Sequence, residues 1–452
     1  MLRRNLNPFS VTEIKPNQAN NADAERLITT RNAAVHKEPD VLIVGGGVIG
    51  LASGLALQGA GRTVRVVDAG AVGQGSSHGN CGTLTPSHAL PLAAPGAVGR
   101  ALRWMLTPDA PLYVPPRLDP TLWRWLLRFA GRCTTDTCLR AARPRAALLQ
   151  ASRAAFPQWL ADHAIDCEFE QHGVDHIFHT EPALAEFVDE CRLLADLGVP
   201  SERIDGNAYL RDEPALREGV VGVVRFPGDA HLRPDRYVAG LARALVAAGG
   251  EIVEHCAVHG VQSARDGMQV ATAQGVMHGR DVLVATGAWS PRLGLSPALA
   301  PLRRVMQPGK GYSITYDRPA LAPRRPLVLH ERSVCVTTWG SGFRLGSTME
   351  FSGYDTSLNR RRLDALERGA REYLREPAGP VKREEWFGWR PMTVDDVPIL
   401  GVVPGQPHLW VATGHGMLGV SMSPATAQLL CDLVTGRAPS LDPAPYALER
   451  FG

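Results

Sequence analysis

The alternation of apolar and polar positions is clearest where the chain first turns apolar. Val41-Leu-Ile-Val44 is an unbroken apolar run, the pattern of a strand buried on both faces. Leu51-Ala-Ser-Gly-Leu-Ala-Leu-Gln58 spaces its apolar residues helically, and Gly59-Ala60-Gly61 ends that helix. Thr63-Val-Arg-Val-Val67 reads as a second strand closing at Asp68. The 21 residues 41–61 carry no charge and have the length of a bilayer span, yet seven are Gly. A strand, a glycine turn and a helix account for that clustering better than a spanning helix does.

Further along, Gly173-Val-Asp-His-Ile-Phe-His179 and Gly222-Val-Val-Arg-Phe-Pro227 read as strands. Pro234 and Asp235 suit a helix start, residues 237–248 continue it, and Gly249-Gly250 stop it before a strand at 251–253. Asp281-Val-Leu-Val284 is another apolar strand, ending in Ala285-Thr286-Gly287. Pro407-His-Leu-Trp-Val-Ala412 is the last, followed by Thr413-Gly-His-Gly-Met-Leu-Gly419 and a helix from about residue 423 to 433. Residues 122–129 (Leu-Trp-Arg-Trp-Leu-Leu-Arg-Phe) are amphipathic and basic. The favoured reading is a helix packed on the core with its Arg residues in water; a membrane-touching face is the alternative.

Composition narrows the functional classes. The 452 residues are 44% hydrophobic and 21% charged, enough for sizeable cores. The net charge of +3, from 48 basic and 45 acidic residues, argues against a dedicated nucleic-acid binder. Eight scattered Cys without a CxxC pair read as reduced thiols. His172, His176 and His179 invite a metal reading, but Gly173 and the Val/Ile/Phe content oppose a helix that would align them, so no metal is expected. Residues 1–38 are polar and Asn-rich without the apolar segment of a signal peptide, and are expected to form a disordered tail or an over-extended start.

The first unit carries the chemistry. Strand, Gly45-Gly46-Gly47-Val48-Ile49-Gly50, helix, strand and acid make the full dinucleotide-binding fingerprint. Gly45 permits the tight turn, Gly47 lets the backbone approach a pyrophosphate, and Gly50 allows close helix–strand packing. The helix start, Val48-Ile49, offers free N–H groups to phosphate. Asp68 is placed for ribose hydroxyls and disfavours a 2′-phosphate, so NADP is not expected. FAD and NAD share this unit. The small polar run Ser76-Ser77-His78-Gly79-Asn80-Cys81-Gly82 suits a loop passing close to a flavin.

From that loop onward the sequence resembles the D-amino-acid-oxidase-like FAD oxidoreductases, which include glycine and sarcosine oxidases. Within them it looks most like the bacterial D-amino-acid dehydrogenase small-subunit group. The resemblance continues through Pro86-Ser-His-Ala-Leu-Pro91, Ala94-Pro95-Gly96, Arg103-Trp104-Met105-Leu106, Gln307-Pro-Gly-Lys310-Gly-Tyr312-Ser-Ile-Thr315, Arg344-Leu-Gly-Ser-Thr-Met-Glu350 and Trp386-Phe-Gly-Trp-Arg390-Pro-Met-Thr-Val-Asp395-Asp-Val-Pro398. Where the family usually has Asn-Ala-Gly, this chain has Asn80-Cys81-Gly82; Cys81 is either near the flavin or simply a small buried residue replacing Ala.

The resemblance implies an α/β fold: a Rossmann-like FAD-binding domain of glutathione-reductase type, interleaved with an α+β substrate domain on a mixed or antiparallel sheet. Its expected boundaries are 39–90, 224–295 and 385–452 for the FAD domain, and 91–223 and 296–384 for the substrate domain. The implied reaction is oxidation of a free D-amino acid, a hydride passing from Cα to flavin N5 and the imino acid hydrolysing to a 2-oxo acid. D-hydroxyproline or D-proline dehydrogenation, sarcosine or glycine oxidation, and a flavoprotein subunit of a membrane-associated electron-transfer assembly are alternatives.

Arg390 is expected to bind the substrate carboxylate, because a guanidinium forks two bonds to it and fixes its orientation; pairing with Asp395 or Asp396 is the alternative. Tyr312 is a candidate substrate-facing residue or a core tyrosine, Lys310 an active-site residue or a solvated strand end, and His415 a candidate catalytic group or a turn residue. Thr286 and Gly287 are expected near the cofactor, as is the segment containing Gly414, Gly416, Met417, Leu418 and Gly419. Residues 385–394 hold no Cys, so the FAD is expected to be noncovalent. The expected partners are an amino acid and a quinone or carrier. The expected setting is the cytoplasm, with peripheral contact on the inner face of the membrane as an option, in a homo-oligomer or complex.

Overall fold

The computed structural model describes residues 38–105, 111–292 and 295–451. The expected tail, 1–38, lies outside the described residues except for Glu38, as do Leu106 and Gly452.

Val41–Val44 forms the centre of a six-stranded sheet, ordered Ile399–Val403, Gln406–Thr413, Asp281–Val284, Val41–Val44, Val64–Val67, Glu251–Val253. All neighbours are parallel except the hairpin formed by the first two. The central strand is apolar throughout because both faces are covered. Helices Val48–Gly59, Pro234–Ala247 and Gly419–Thr435 pack on one face through Leu51, Leu55, Leu241, Leu245, Leu429 and Leu430. A three-stranded antiparallel sheet, Val258–Ala264, Gly267–Thr272 and Gly275–Gly279, covers the other through Val261, Met268 and Val270. Each of these fully buried aliphatic side chains contributes roughly 1.5–3 kcal/mol.

The second large sheet is mixed and mostly antiparallel. Its order is Lys382–Thr393, Met306–Tyr316, Gly342–Glu350, Val334–Trp339, Leu327–Leu329, Val174–Phe178, Gly222–Phe226, Glu202–Asp205, with Leu112–Tyr113 added beside Gly342–Glu350. The expected seams at residues 224 and 385 fall inside two of its strands. Both strands hydrogen-bond along their length to this sheet, so the chain cannot change layer there. The passage to the parallel sheet comes after Thr393.

That passage is a tight turn with a buried charge at its apex. Asp396 has φ +61° and is 2% exposed. Its carboxylate pairs with Arg145 at 3.0 Å and accepts the Leu92 N–H at 3.1 Å. Arg145 comes from the helix Thr135–Asp162, is itself 2% exposed, and also donates to the carbonyls of Ala89, His88, Leu90 and Asp396. Every donor of the buried guanidinium therefore has an acceptor, which is the condition for a buried ion pair to persist.

Arg145→Met should lower unfolding free energy by about 3–5 kcal/mol in chemical denaturation, because it strands the Asp396 charge. The double variant Arg145→Met/Asp396→Asn, which removes the charge with a residue that tolerates the left-handed turn, should recover much of that loss. If the double variant is no more stable than the single one, the pair is not what holds the turn.

Candidate active site

The glycine turn separates two glycines that the packing itself requires from one with room beside it. Gly45 has φ +111°, and a Cβ there would lie 2.6 Å from the Ala285 carbonyl oxygen. A Cβ at Gly50 would lie 1.9 Å from the Gly45 carbonyl oxygen. Gly47 caps the helix Val48–Gly59 with an ordinary φ of −78°, and its Cβ would meet only Ser77 Oγ at 3.6 Å. The open side at Gly47 suits close approach of a pyrophosphate. The helix has no acid in its first turn, leaving its positive end for an anion. Asp68 accepts from the N–H groups of Gly46 (2.7 Å) and Gly70 (2.9 Å) and keeps acceptor capacity for a ribose. Burial pushes its carboxyl up. These residues fit the adenosine diphosphate portion of FAD.

The other expected cofactor segments gather around this turn. Ser77 Oγ accepts the Val48 N–H at 3.1 Å. Asn80 Oδ1 accepts the Gly82 N–H at 2.7 Å, while its Nδ2 donates to the Met417 carbonyl at 3.3 Å. Gly82, at φ +79°, lies against the Leu232 carbonyl. Ser76 differs: its hydroxyl is taken by the Trp389 carbonyl. Thr286 and Gly287 follow Ala285 at the Gly45 turn, and the Gly287 carbonyl accepts from Ser290 and Thr413. Gly416 donates its N–H to the Pro391 carbonyl at 3.1 Å. Leu418 precedes the helix Gly419–Thr435, whose start has no acid and no side-chain cap. Residues 414–419 thus touch both the glycine turn and the strand that carries Arg390.

Arg390 lies on the face of the second sheet turned toward residues 76–82. It pairs in register with Gly309, and a Cβ at neighbouring Gly311 would lie 2.4 Å from its Cζ, so the guanidinium rests on bare backbone. Cross-strand register slips between Lys310 and Tyr312, where Ser347 (φ +129°) and Thr348 (φ +59°) form a bulge. The bulge turns the carbonyls of Ser347 and Thr348 onto Arg390. Among the described residues Arg390 makes no ion pair. Asp395 is held by Arg450 at 3.0 Å and Asp396 by Arg145, so neither candidate acid is available. Burial pushes the guanidinium down, opposed only by the nearby Cys81. A half-buried guanidinium without an acidic partner has the charge and fork geometry to take a carboxylate.

Two expected catalytic residues do not join it. Tyr312 lies on the opposite face of the strand, 1% exposed among Ile314, Leu374 and Tyr316, with its hydroxyl on Glu350 Oε2 at 3.2 Å. Strand alternation puts it there, since Gly309 and Gly311 share the Arg390 face. His415 is also enclosed, its Nε2 within 3.2 Å of Thr426 Oγ1, and burial pushes its imidazole down to about 3. Lys310 is neither solvated nor beside Arg390. It is fully buried on the Tyr312 face, paired with Asp355 at 2.8 Å and lying over Phe387.

Arg344 is a site-shaping residue without a local signature. It is 1% exposed, bonds Thr315 Oγ1 at 2.9 Å, and donates to the carbonyls of His78 (3.0 Å) and Asn80 (2.7 Å). It thereby binds the cofactor-side loop to the sheet. The only hint in sequence is an Arg on an otherwise apolar strand. Trp386 does similar work by shape, its ring lying where Cβ atoms on Gly79 and Gly388 would stand. The three candidate metal histidines do not converge: His176 stacks on Phe187 and His179 on Tyr373. Among the described residues no helix is long and apolar enough to cross a membrane.

A family model described as FAD dependent oxidoreductase (DAO) matches residues 40–433. The chain is 30% identical over 418 residues to a D-amino acid dehydrogenase of Granulibacter bethesdensis, spanning 91% of this chain and 99% of that one. It is 34% identical over 418 residues to one from Methylobacterium nodulans, spanning 89% and 96%. Among solved structures it is similar to glycine oxidase from Geobacillus kaustophilus, with a TM-score of 0.73 and 24% identity across 91% of this chain and 99% of that chain. L-proline dehydrogenase from P. horikoshii shares the fold at a TM-score of 0.65 and 16% identity, covering 92% and 99%.

A buried neutral imidazole at 415 has a pH signature. Its contribution to stability is whole above the free-histidine pKa and is lost as pH falls through it toward 3. His415→Asn should therefore remove roughly 2 kcal/mol of the stability difference between pH 7 and pH 5. The pH profile of substrate-dependent flavin reduction between 6 and 9 should keep its shape. A displaced profile would return His415 to the proton-transfer machinery.

Proposed function

The chain belongs to the DAO family of FAD-dependent oxidoreductases, and from that premise we propose that it is a D-amino-acid dehydrogenase with noncovalent FAD. The carrying observation is Arg390: a half-buried guanidinium, cradled by two carbonyls and a glycine, with no acidic partner among the described residues. The relatives that span nearly the whole chain are named D-amino acid dehydrogenases, which supports the substrate class.

FAD, when bound, supplies the redox chemistry by accepting a hydride. The chain's own residues bind and orient. Arg390 fixes both carboxylate oxygens and so limits rotation about Cα, which converts binding energy into alignment. Met349 Sδ, 3.7 Å from the guanidinium, gives the same site an apolar wall. Oxidation at Cα yields an imino acid that water converts to a 2-oxo acid and ammonia. A neutral amine needs no protein base for this step, in keeping with the enclosed Tyr312 and His415.

The second electron carrier is proposed to be reached at a bilayer surface. On the helix Pro120–Ala130, Leu122 and Trp125 are buried while Trp123, Arg124, Leu127 and Arg128 are exposed. Leu127 is 73% exposed and Leu118, just before the helix, is fully so. Apolar side chains flanked by Arg match an anionic lipid surface.

Anaerobic titration of the FAD-loaded enzyme with D-, L- and N-substituted amino acids, including both hydroxyproline epimers, should bleach the flavin with D-amino acids first. Bleaching by none overturns the reading. Arg390→Met should lower kcat/KM roughly hundredfold, mostly through KM, with FAD retained. In a second assay, Trp123→Ser/Leu127→Ser should abolish flotation with vesicles containing anionic lipid. If it instead changes only the oligomeric state, the patch is a contact between copies of the chain.

A further inference from the structure

Two cysteines from separate parts of the fold meet beside Arg390. Cys81 lies in the loop after the second parallel strand, and Cys335 in the strand Val334–Trp339 of the second sheet. Cys335 stands directly opposite Gly346 in register, so both point their Cβ directions to the same face. Cys81 Sγ occupies the space that Gly346 leaves empty, 2.5 Å from where its Cβ would be. Neighbouring Cβ positions across strands are about 4.5–5.5 Å apart, so the Cys81 sulfur and the Cys335 side chain are neighbours on one face. The Cys335 thiol also approaches Thr337 Oγ1 at 3.8 Å. Neither residue is fully buried, and neither is in a disulfide.

The two thiols are electrically unequal. The neighbouring Cys335 thiol, together with the guanidinium groups of Arg344 and Arg390, holds the Cys81 thiol below the ordinary range. Cys335 is pushed up by its neighbour Cys81 and by burial. One sulfur is thus prepared as a nucleophile while its neighbour keeps a proton. The substrate-binding reading does not use either thiol in this way.

We infer that Cys81 and Cys335 are a peroxide-responsive thiol pair that closes into a disulfide joining the cofactor-side loop to the substrate-side sheet. The Cys81 sulfur attacks a hydroperoxide oxygen: an S–O bond forms, the O–O bond breaks, and the alcohol or water leaves with the Cys81 proton. The Cys335 sulfur then attacks the Cys81 sulfenic acid. An S–S bond forms, the S–OH bond breaks, and water leaves with the Cys335 proton. Two thiols lose two electrons and the peroxide gains them.

The test is chemical and independent of substrate. The FAD-loaded protein is treated with hydrogen peroxide, blocked with iodoacetamide and digested without reductant. The expected result is a linked peptide pair containing Cys81 and Cys335, about 2 Da lighter than the sum of the reduced peptides, with two fewer thiols per chain and full reversal by dithiothreitol. Cys335→Val should show no link and instead a Cys81 sulfenic acid trapped by dimedone, with FAD content reporting an intact fold. Oxidation of Cys81 to sulfinic acid in the wild type without any linked peptide would overturn the inference. So would both cysteines remaining fully alkylated after peroxide exposure that consumes added thiol in the same tube.

Discussion

The buried pair between Arg145 and Asp396 is the constraint on which the site depends. The chain leaves the second sheet just after Arg390 and joins the parallel sheet before residues 414–419. The turn between them places a carboxylate where no water reaches. Arg145 answers that charge and at the same time collects the carbonyls of His88 and Ala89. A buried pair gains little net stability over apolar residues of the same size. Its consequence here is positional. Asp396 can occupy a left-handed conformation because its carboxylate is pinned, and Pro391 can then meet the Gly416 N–H. Arg390 and the glycine loop 414–419 are held to one frame through that contact.

Much of the site is formed by side chains that are missing. Gly45 and Gly50 let the first strand, its turn and its helix touch; Gly311 makes room for Arg390; Gly346 makes room for Cys81; Gly79 and Gly388 make room for Trp386. At Gly311 the close approach puts bare backbone beside Arg390 without adding a competing carboxylate. A guanidinium in such surroundings is weakly solvated, so a substrate carboxylate meets less competition from water than it would at the surface.

The parts readable in sequence were those whose meaning is local. The first βαβ unit spells out its turn, helix and acid within 28 residues, 41–68, and the structure pairs Val41–Val44 with Val64–Val67 accordingly. Arg390 stood out because its neighbours form a dense motif. Tyr312 stayed open between substrate and core because a strand has two faces, and the structure puts it in the core. The motif carries no mark of which face the substrate meets. Lys310 misled for the opposite reason: an isolated cation in sequence suggests a function or a wet surface, and its actual partner, Asp355, is 45 residues away. Arg145 and Arg344 were unreadable because an Arg on a helix or strand is ordinarily exposed, and only tertiary structure shows them enclosed.

Those enclosed arginines also explain how one site can discriminate among charges. Arg145, Arg344 and Arg390 are all at least half-buried, yet only the first two face a carboxylate. Arg145 binds the Asp396 carboxylate and four carbonyls, and Arg344 a hydroxyl, two carbonyls and, at 4.0 Å, the Glu384 carboxylate. Arg390 receives only two carbonyl oxygens and a thioether, partners that orient it without cancelling its charge. Carbonyl dipoles that hold a guanidinium in plane prepay the ordering that a carboxylate would otherwise have to impose. On the proposed role of Arg390, the anion is selected by geometry: a planar carboxylate at the end of a short backbone, carried against an apolar wall. The near-neutral overall charge of the chain, +3, is consistent with recognition that is confined to such a local pairing rather than spread over a field.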